Sequence, residues 1–239
     1  MKQRLINTAL SFFVLTIMAT SISHANEDAV RKALNKSIPT LKINSIKPSK
    51  AKGLYEVVAG ANILYVSEDG QYLLQGHLID LEARKDLTEV KLADIRKLAI
   101  ENLGEEQMII FTPEKSKYKV SVFTDIDCGY CRKLHSEMDQ YMAEGISIQY
   151  LFYPRAGKGS DSYNKAVSVW CADDRNAALT AAKKGEGTEA KTCDNPIDEH
   201  MQLGVEFEAK GTPMIVTEKG NIFPGYVPAK QLAKALASE

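Results

Sequence analysis

The sequence predicts an α/β protein: a small α+β module, a linking amphipathic helix, and a larger domain in which strands and helices alternate. Three observations lead there. From residue 107 onward, strand-like and helix-like runs alternate and close on a hairpin, which suits a mixed sheet with an antiparallel edge. The stretch before residue 87 is strand-rich after one short helix. Between these parts, apolar residues recur with helical spacing over residues 88–103.

The elements follow in order. Residues 27–34 read as a short helix, and residues 41–46, 54–59, 63–67 and 72–76 as strands. The last two are separated by Glu68-Asp69-Gly70-Gln71, a hairpin turn signal. A sheet this small has a thin core and exposed edges, which pairing with a second copy would cover. Leu92, Ile95, Leu98, Ala99 and Leu103, with charges between them and Gly104 as the stop, predict about four helical turns. The simplest role of that helix is to space the two modules, although periodicity does not say what it packs against. Beyond it come strands at 107–111, 119–125 and 146–153, and helices at 129–142, 161–172 and 196–206. A hairpin at 214–217 and 222–223 turns at Lys219-Gly220-Asn221, and a helix spans 228–237.

The N-terminus has the pattern of a removed leader. Lys2 and Arg4 precede an apolar run, residues 9–19, that is too short to span a bilayer, and Ser23-His24-Ala25 offers small residues at the cleavage-determining positions. We read residues 1–25 as a signal peptide, leaving about 214 residues, enough for one large domain or two small ones. The 30 basic and 31 acidic residues are interspersed, with no basic stripe carrying aromatics, so no nucleic-acid partner is expected.

Four cysteines in an exported chain point to disulfides, and four allow three pairings. Spacing favours Cys128 with Cys131 and Cys171 with Cys193, the latter closing a structural loop of about 22 residues. Structural zinc is the competing use, but it normally draws on two close cysteine pairs, and Cys171 and Cys193 are far apart.

Cys128-Gly129-Tyr130-Cys131 sits where the strand-like run 119–123 gives way to a helix. Two intervening residues let the sulfurs close a small ring, and the first sulfur lies at a helix N-terminus, where unpaired N–H groups favour a thiolate. The macrodipole alone falls short. Lowering a thiol from about 8.5 into the reactive range of roughly 3.5–7.5 takes about 1.4 kcal/mol per unit, whereas a helix terminus supplies about 0.3–1, at best about 2. Direct N–H bonds must contribute. Arg132, Lys133 and His135 add positive potential if they face Cys128, while Asp125 and Asp127 oppose it.

The run Phe-Thr-Asp-Ile-Asp-Cys-Gly-Tyr-Cys-Arg-Lys-Leu-His at 123–135, with Trp170-Cys171, Gly211-Thr212-Pro213 and Pro224-Gly225-Tyr226, resembles the DsbC family of periplasmic disulfide isomerases. The likeness covers essentially the whole mature chain. It implies a thioredoxin-like catalytic domain with a helical insertion (105–239), a linker helix (87–104) and an N-terminal dimerisation domain (26–86) in a homodimer whose cleft holds misfolded, disulfide-containing exported proteins. It further implies that Cys128 is the exposed attacking thiol and Cys131 the resolving thiol of a redox-active disulfide, Cys171–Cys193 the structural bridge, and Thr212-Pro213 a cis-proline loop with its backbone open to clients. Tyr130 and His135 are candidate tuning groups, each with an ordinary alternative as a surface residue. Asp127 departs from the threonine expected before the first cysteine and leaves the Cys128 pKa open. A membrane reductase of the DsbD type is the implied electron donor, and no organic cofactor or metal is needed. A DsbG-like reductase or chaperone and a DsbA-like dithiol oxidase are the rival readings; the oxidase needs no N-terminal dimerisation module.

Overall fold

The computed structural model describes residues 18–239. Most of the expected leader, residues 1–17, therefore lies outside the described residues. From Met18 the chain is helical, so the expected cleavage point after Ala25 falls within the first helix of the full-length chain. Among the described residues no helix is long and apolar enough to cross a membrane. The chain divides into two compact units, one running through Glu89 and the other from Val90 to Glu239.

In the first unit, α1 (Met18–Ser37) lays Val30 and Leu34 against an antiparallel sheet in the order β1 (Ser45–Pro48), β2 (Leu54–Ala59), β3 (Asn62–Ser67), β4 (Leu73–Gln75). Ile46, Tyr55, Val57, Leu64 and Val66 complete this core. The helix is longer than the expected 27–34. The first strand starts later than expected, because Leu41 and Ile43 pack on the core from a loop whose turn is closed by Leu41 N–H donating to the Ile38 carbonyl. Pro48 then ends an edge strand, where a missing N–H is tolerated. β4 forms the other edge, and all three of its residues are exposed. A two-residue ladder, β5 (Ile79–Asp80) with β6 (Lys85–Asp86), was not expected from the sequence; Asp80 Oδ1 accepts the N–H groups of Glu82 and Ala83 to form its turn.

Helix α2 (Leu87–Leu103) begins at the junction. Its residues from Ala93 onward do more than span a gap: Ala93, Arg96 and Leu103 are buried, and Arg96 donates to the Gly220 carbonyl at 2.7 Å.

The second unit is built on a five-stranded sheet ordered β11 (Ile222–Pro224), β10 (Met214–Thr217), β8 (Tyr118–Thr124), β9 (Ile146–Phe152), β7 (Ile109–Phe111). Only β8 and β9 pair in parallel, from Tyr118 opposite Ile146 to Thr124 opposite Phe152. Alternation along β8 divides the core. Val120 and Val122 face the larger apolar cluster with Leu134, Tyr141, Tyr150, Trp170, Leu179 and Leu232, while Phe123 faces the smaller one with Leu103, Met108, Phe207 and Met214. The remaining helices are α3 (Gly129–Ser136), α4 (Met138–Ala143), α5 (Asp161–Trp170), α6 (Arg175–Lys184), α7 (Ile197–Glu206) and α8 (Ala229–Ser238).

In the second unit, two helices differ from expectation. The helix expected over 129–142 is broken at Glu137, whose backbone leaves the helical region (φ −104, ψ 17). Ser136 Oγ turns back onto the Lys133 carbonyl, and the Tyr226 hydroxyl, from far along the chain, pins the Glu137 carboxylate at the break. Helix α6 was not expected. Asp174 caps its start by accepting from Ala177 N–H, and Gly185 ends it in the left-handed region at φ 85.

Candidate active site

β8 is the central strand, and its C-terminal end delivers the chain to the site. Thr124 is fully buried; the next residues, Asp125 to Asp127, turn the chain into α3. Asp125 organises that turn. Its Oδ1 accepts from Asp127 N–H at 2.9 Å, and its Oδ2 accepts from Arg155 N–H and Nε, each at 3.0 Å. Burial raises the Asp125 pKa, but those donors outweigh it and leave the group an acid stronger than usual.

Cys128 occupies the N-cap position of α3, extended at φ −80 and ψ 124. Its thiol donates to the Thr212 carbonyl at 3.2 Å. Burial pushes its pKa up. Against that stand the Thr212 hydroxyl, the Cys131 N–H and thiol, and the Tyr130 N–H, and the net direction is down. Cys131, one turn into the helix, goes the other way: burial dominates and raises it, although Lys183, the Thr124 hydroxyl and the Asp125 backbone partly compensate. Both cysteines are free thiols. The dithiol is therefore asymmetric, with the more acidic sulfur at the helix end.

Thr212 belongs to the loop before β10, and its bond to Pro213 is cis. The Thr212 hydroxyl is buried and has no hydrogen-bond partner. It lies where either cysteine, as a thiolate, would accept from it.

The expectation of an exposed attacking thiol is corrected here. Cys128 is only 4 % exposed, and its sulfur is hydrogen-bonded to the Thr212 carbonyl. The same contact occupies backbone that was expected to be open to clients. Tyr130 is 65 % exposed and stacks on Tyr226, with ring centroids 6.4 Å apart and Lys133 Nζ over the Tyr226 ring.

The charges around Cys128 also differ from expectation. His135 is buried, with its ring nitrogens on the Tyr150 and Thr180 hydroxyls; burial and the nearby Lys183 and Lys184 bring its pKa down to about 4. It is neutral at physiological pH and adds no positive potential. Arg132 is committed to the Ile126 carbonyl and Asp127. Asp127 is held by Arg132 at 2.9 Å and by Lys165, whose Nζ reaches both carboxylate oxygens at 2.9 Å. The cations that do interact electrostatically with Cys128 are Arg155 and Lys183.

Cys171 and Cys193 are bonded to each other, away from the dithiol, tying the end of α5 to the segment before α7. Sequence reasoning passed over Lys183 and Arg155, and quoted Thr124 and Tyr226 only within the matching motifs, with no role assigned. Asp174 and Gly185, at the two ends of α6, were signals that could have revealed the helix that carries Lys183.

An asymmetric dithiol at a helix N-terminus, facing a cis-proline loop across an α/β sheet, defines a thiol–disulfide oxidoreductase of thioredoxin-like fold. Comparison with known proteins narrows that class. Residues 21–89 match the family described as disulfide bond isomerase protein N-terminal domain, and residues 105–238 match the thioredoxin-like domain. The thiol:disulfide interchange protein DsbC of Dickeya dadantii is 38% identical over 94% of this chain and 92% of its own length. The protein of the same name from Escherichia coli is 33% identical over 94% of both chains. A crystal structure of a disulfide interchange protein from Neisseria gonorrhoeae, 32% identical, superposes with a TM-score of 0.51 over 56% of this chain and 96% of its own. The chain belongs to the DsbC family.

Proposed function

We propose that the mature chain, residues 26–239, is a periplasmic disulfide isomerase that reshuffles non-native disulfides in exported proteins and acts as a homodimer. The observation that carries this reading is the asymmetry of the dithiol: a Cys128 thiol pulled below its ordinary pKa beside a Cys131 thiol pushed above it. The Cys128 thiolate attacks a client disulfide, forming a mixed disulfide and releasing a client thiolate. If that client thiolate, or another in the client, then attacks the mixed disulfide, the client is rearranged and the enzyme leaves reduced. If Cys131 attacks first, the client leaves reduced and the enzyme carries a Cys128–Cys131 disulfide. A neutral, buried Cys131 favours the first exit. Restoring the dithiol after the second exit needs an external donor, for which a membrane reductase of the DsbD type is the candidate.

The homodimer reading is supported by the open edge of the N-terminal sheet, where Tyr72, Leu73 and Leu74 are exposed along β4. Water-facing apolar residues on an unpaired edge suit strand pairing with a second copy. The exposed Tyr130, stacked on the half-buried Tyr226, offers an aromatic surface beside the dithiol for unfolded chains, consistent with chaperone activity.

Reactivation of a substrate with scrambled disulfides by the reduced protein tests the reading. Cys128→Ala should abolish reactivation, and Leu74→Glu should yield a monomer that still reacts with small disulfides but reactivates poorly. Full reactivation by Cys128→Ala, or a monomeric wild-type protein, would overturn the isomerase or the homodimer reading respectively.

A further inference from the structure

Lys183 is a lysine with almost no access to water, and it faces no carboxylate directly. Its Nζ donates to Thr124 Oγ1 at 2.7 Å and to the Asp125 carbonyl at 2.8 Å, both buried contacts. Thr124 Oγ1 in turn faces the Cys131 sulfur as a hydrogen-bond donor. Thr124 thus links the other two groups: it is hydrogen-bonded to the Lys183 ammonium on one side and acts, like Lys183 itself, on the Cys131 thiol on the other. Lysine is rarely buried without a charged partner, since taking the ion out of water is costly.

We propose that Lys183 is a positioning residue for the resolving step: through the Thr124 hydroxyl it takes the proton that Cys131 must lose to attack and returns it when Cys131 departs. This rests on the exchange reading above. In the escape direction the Cys131 proton passes to Thr124 Oγ1 while the Thr124 proton passes to the Lys183 amine, giving a Cys131 thiolate and an ammonium. The thiolate attacks Cys128 Sγ in the mixed disulfide. A Cys128–Cys131 bond forms, the Cys128–client bond breaks, and the client sulfur leaves with the electron pair and is protonated by water. When a donor dithiol later reduces the enzyme, Cys131 leaves as the thiolate and recovers its proton by the same route.

The charges around the relay are consistent with this. Burial brings the Lys183 pKa down to about 8, so that amine and ammonium are both accessible near neutrality; Cys131, Asp125 and Cys128 pull it up, and Arg132 opposes them. Tyr150 and His135 also adjoin the pair, and both are neutral at physiological pH. The relay therefore sets how long the mixed disulfide survives, and with it the division between rearranging and merely reducing a client.

Stopped-flow reaction of the reduced full chain with 5,5′-dithiobis(2-nitrobenzoate) separates the steps. Cys128 attack releases one chromophore in a bimolecular phase, and Cys131 attack releases the second in a unimolecular phase. Lys183→Met and Thr124→Val should each slow the second phase at least about tenfold more than the first, which in Lys183→Met also loses a cation that acts on Cys128. The wild-type second phase should level off with rising pH near pH 8, whereas in Lys183→Met it should keep climbing about tenfold per pH unit above that point. Thr124→Val is nearly isosteric and preserves the test if Lys183→Met fails to fold. An unchanged second phase in both variants overturns the proposal, as does slowing in Lys183→Met with a normal Thr124→Val. A wild-type chain lacking the first phase would instead overturn the exchange reading itself.

Discussion

The Cys128 thiol donates to the Thr212 carbonyl across 3.2 Å, joining residues 84 positions apart in sequence. The buried, unpartnered Thr212 hydroxyl beside it is a donor held ready for a thiolate. Thr212→Val should therefore raise the Cys128 pKa and slow its alkylation by iodoacetamide at neutral pH about tenfold, since a hydrogen bond to a charged acceptor contributes about 1.5–3 kcal/mol. An unchanged pH profile of alkylation would show that the hydroxyl does not act on the thiolate.

Asp127 stands where a threonine was expected, yet Arg132 and Lys165 hold its carboxylate. Asp127→Asn should leave those two cations uncompensated and speed alkylation of Cys128 at low ionic strength. Because all three groups are partly exposed, high salt should abolish the difference. A variant that reacts more slowly than the wild type under both conditions would contradict this account.

Gly220 sits at φ 81 in the β10–β11 turn, and a Cβ there would lie 1.9 Å from the Ala93 carbonyl oxygen. Arg96 donates to the Gly220 carbonyl from the same helix. Gly220→Ala should destabilise the second unit by about 1–3 kcal/mol through left-handed strain and loss of this fit. Thermal melting of the variant at the wild-type temperature would show that the turn yields freely.

His200 is buried as a neutral ring, accepting from Phe152 N–H at Nδ1 and donating from Nε2 to the Gln107 carbonyl. Burial brings its pKa down to about 4, well below the unfolded value of about 6.5. The unfolded chain therefore binds the proton first as pH falls. The stabilising contribution is complete above about pH 6.5 and is lost toward pH 4, at up to about 1.4 kcal/mol per unit. His135 follows the same direction. Urea midpoints at neutral pH and near pH 5 measure the loss, and equal midpoints would refute it.

The Cys171–Cys193 bridge closes a loop with a sequence separation of 22. Replacing both cysteines by alanine should lower stability by about 3 kcal/mol while leaving the reaction of Cys128 with small disulfides intact. Loss of that reaction in a folded variant would connect the bridge to the dithiol.

Much of the architecture was legible in local pattern. Residues 54–59 lie in a strand with the predicted bounds, and the helix from Leu87 to Leu103 stops at its glycine, although Leu98 of its expected apolar face is exposed and Ala93 and Arg96 are buried instead. Helix α6 escaped notice because its run Arg-Asn-Ala-Ala-Leu-Thr-Ala-Ala-Lys-Lys has a single large apolar residue, Leu179, and so little periodicity to read. With it went Lys183. His135 was misjudged for a related reason: a histidine one turn past a cysteine can face either side of a helix, and only packing against Tyr150 and Thr180 decided which.

By itself the sequence determined most of the strands and helices, the position of two cysteines at a helix start, and many of the turn and cap residues that bound the elements, because each of these depends on neighbours a few positions away. Tertiary structure alone decided that Thr212 closes over Cys128, that Arg155 holds Asp125, and that Lys183 lies beneath Cys131. Those relationships depend on sheet order and helix packing, which bring distant residues within hydrogen-bonding reach and strip away the water that would otherwise screen them.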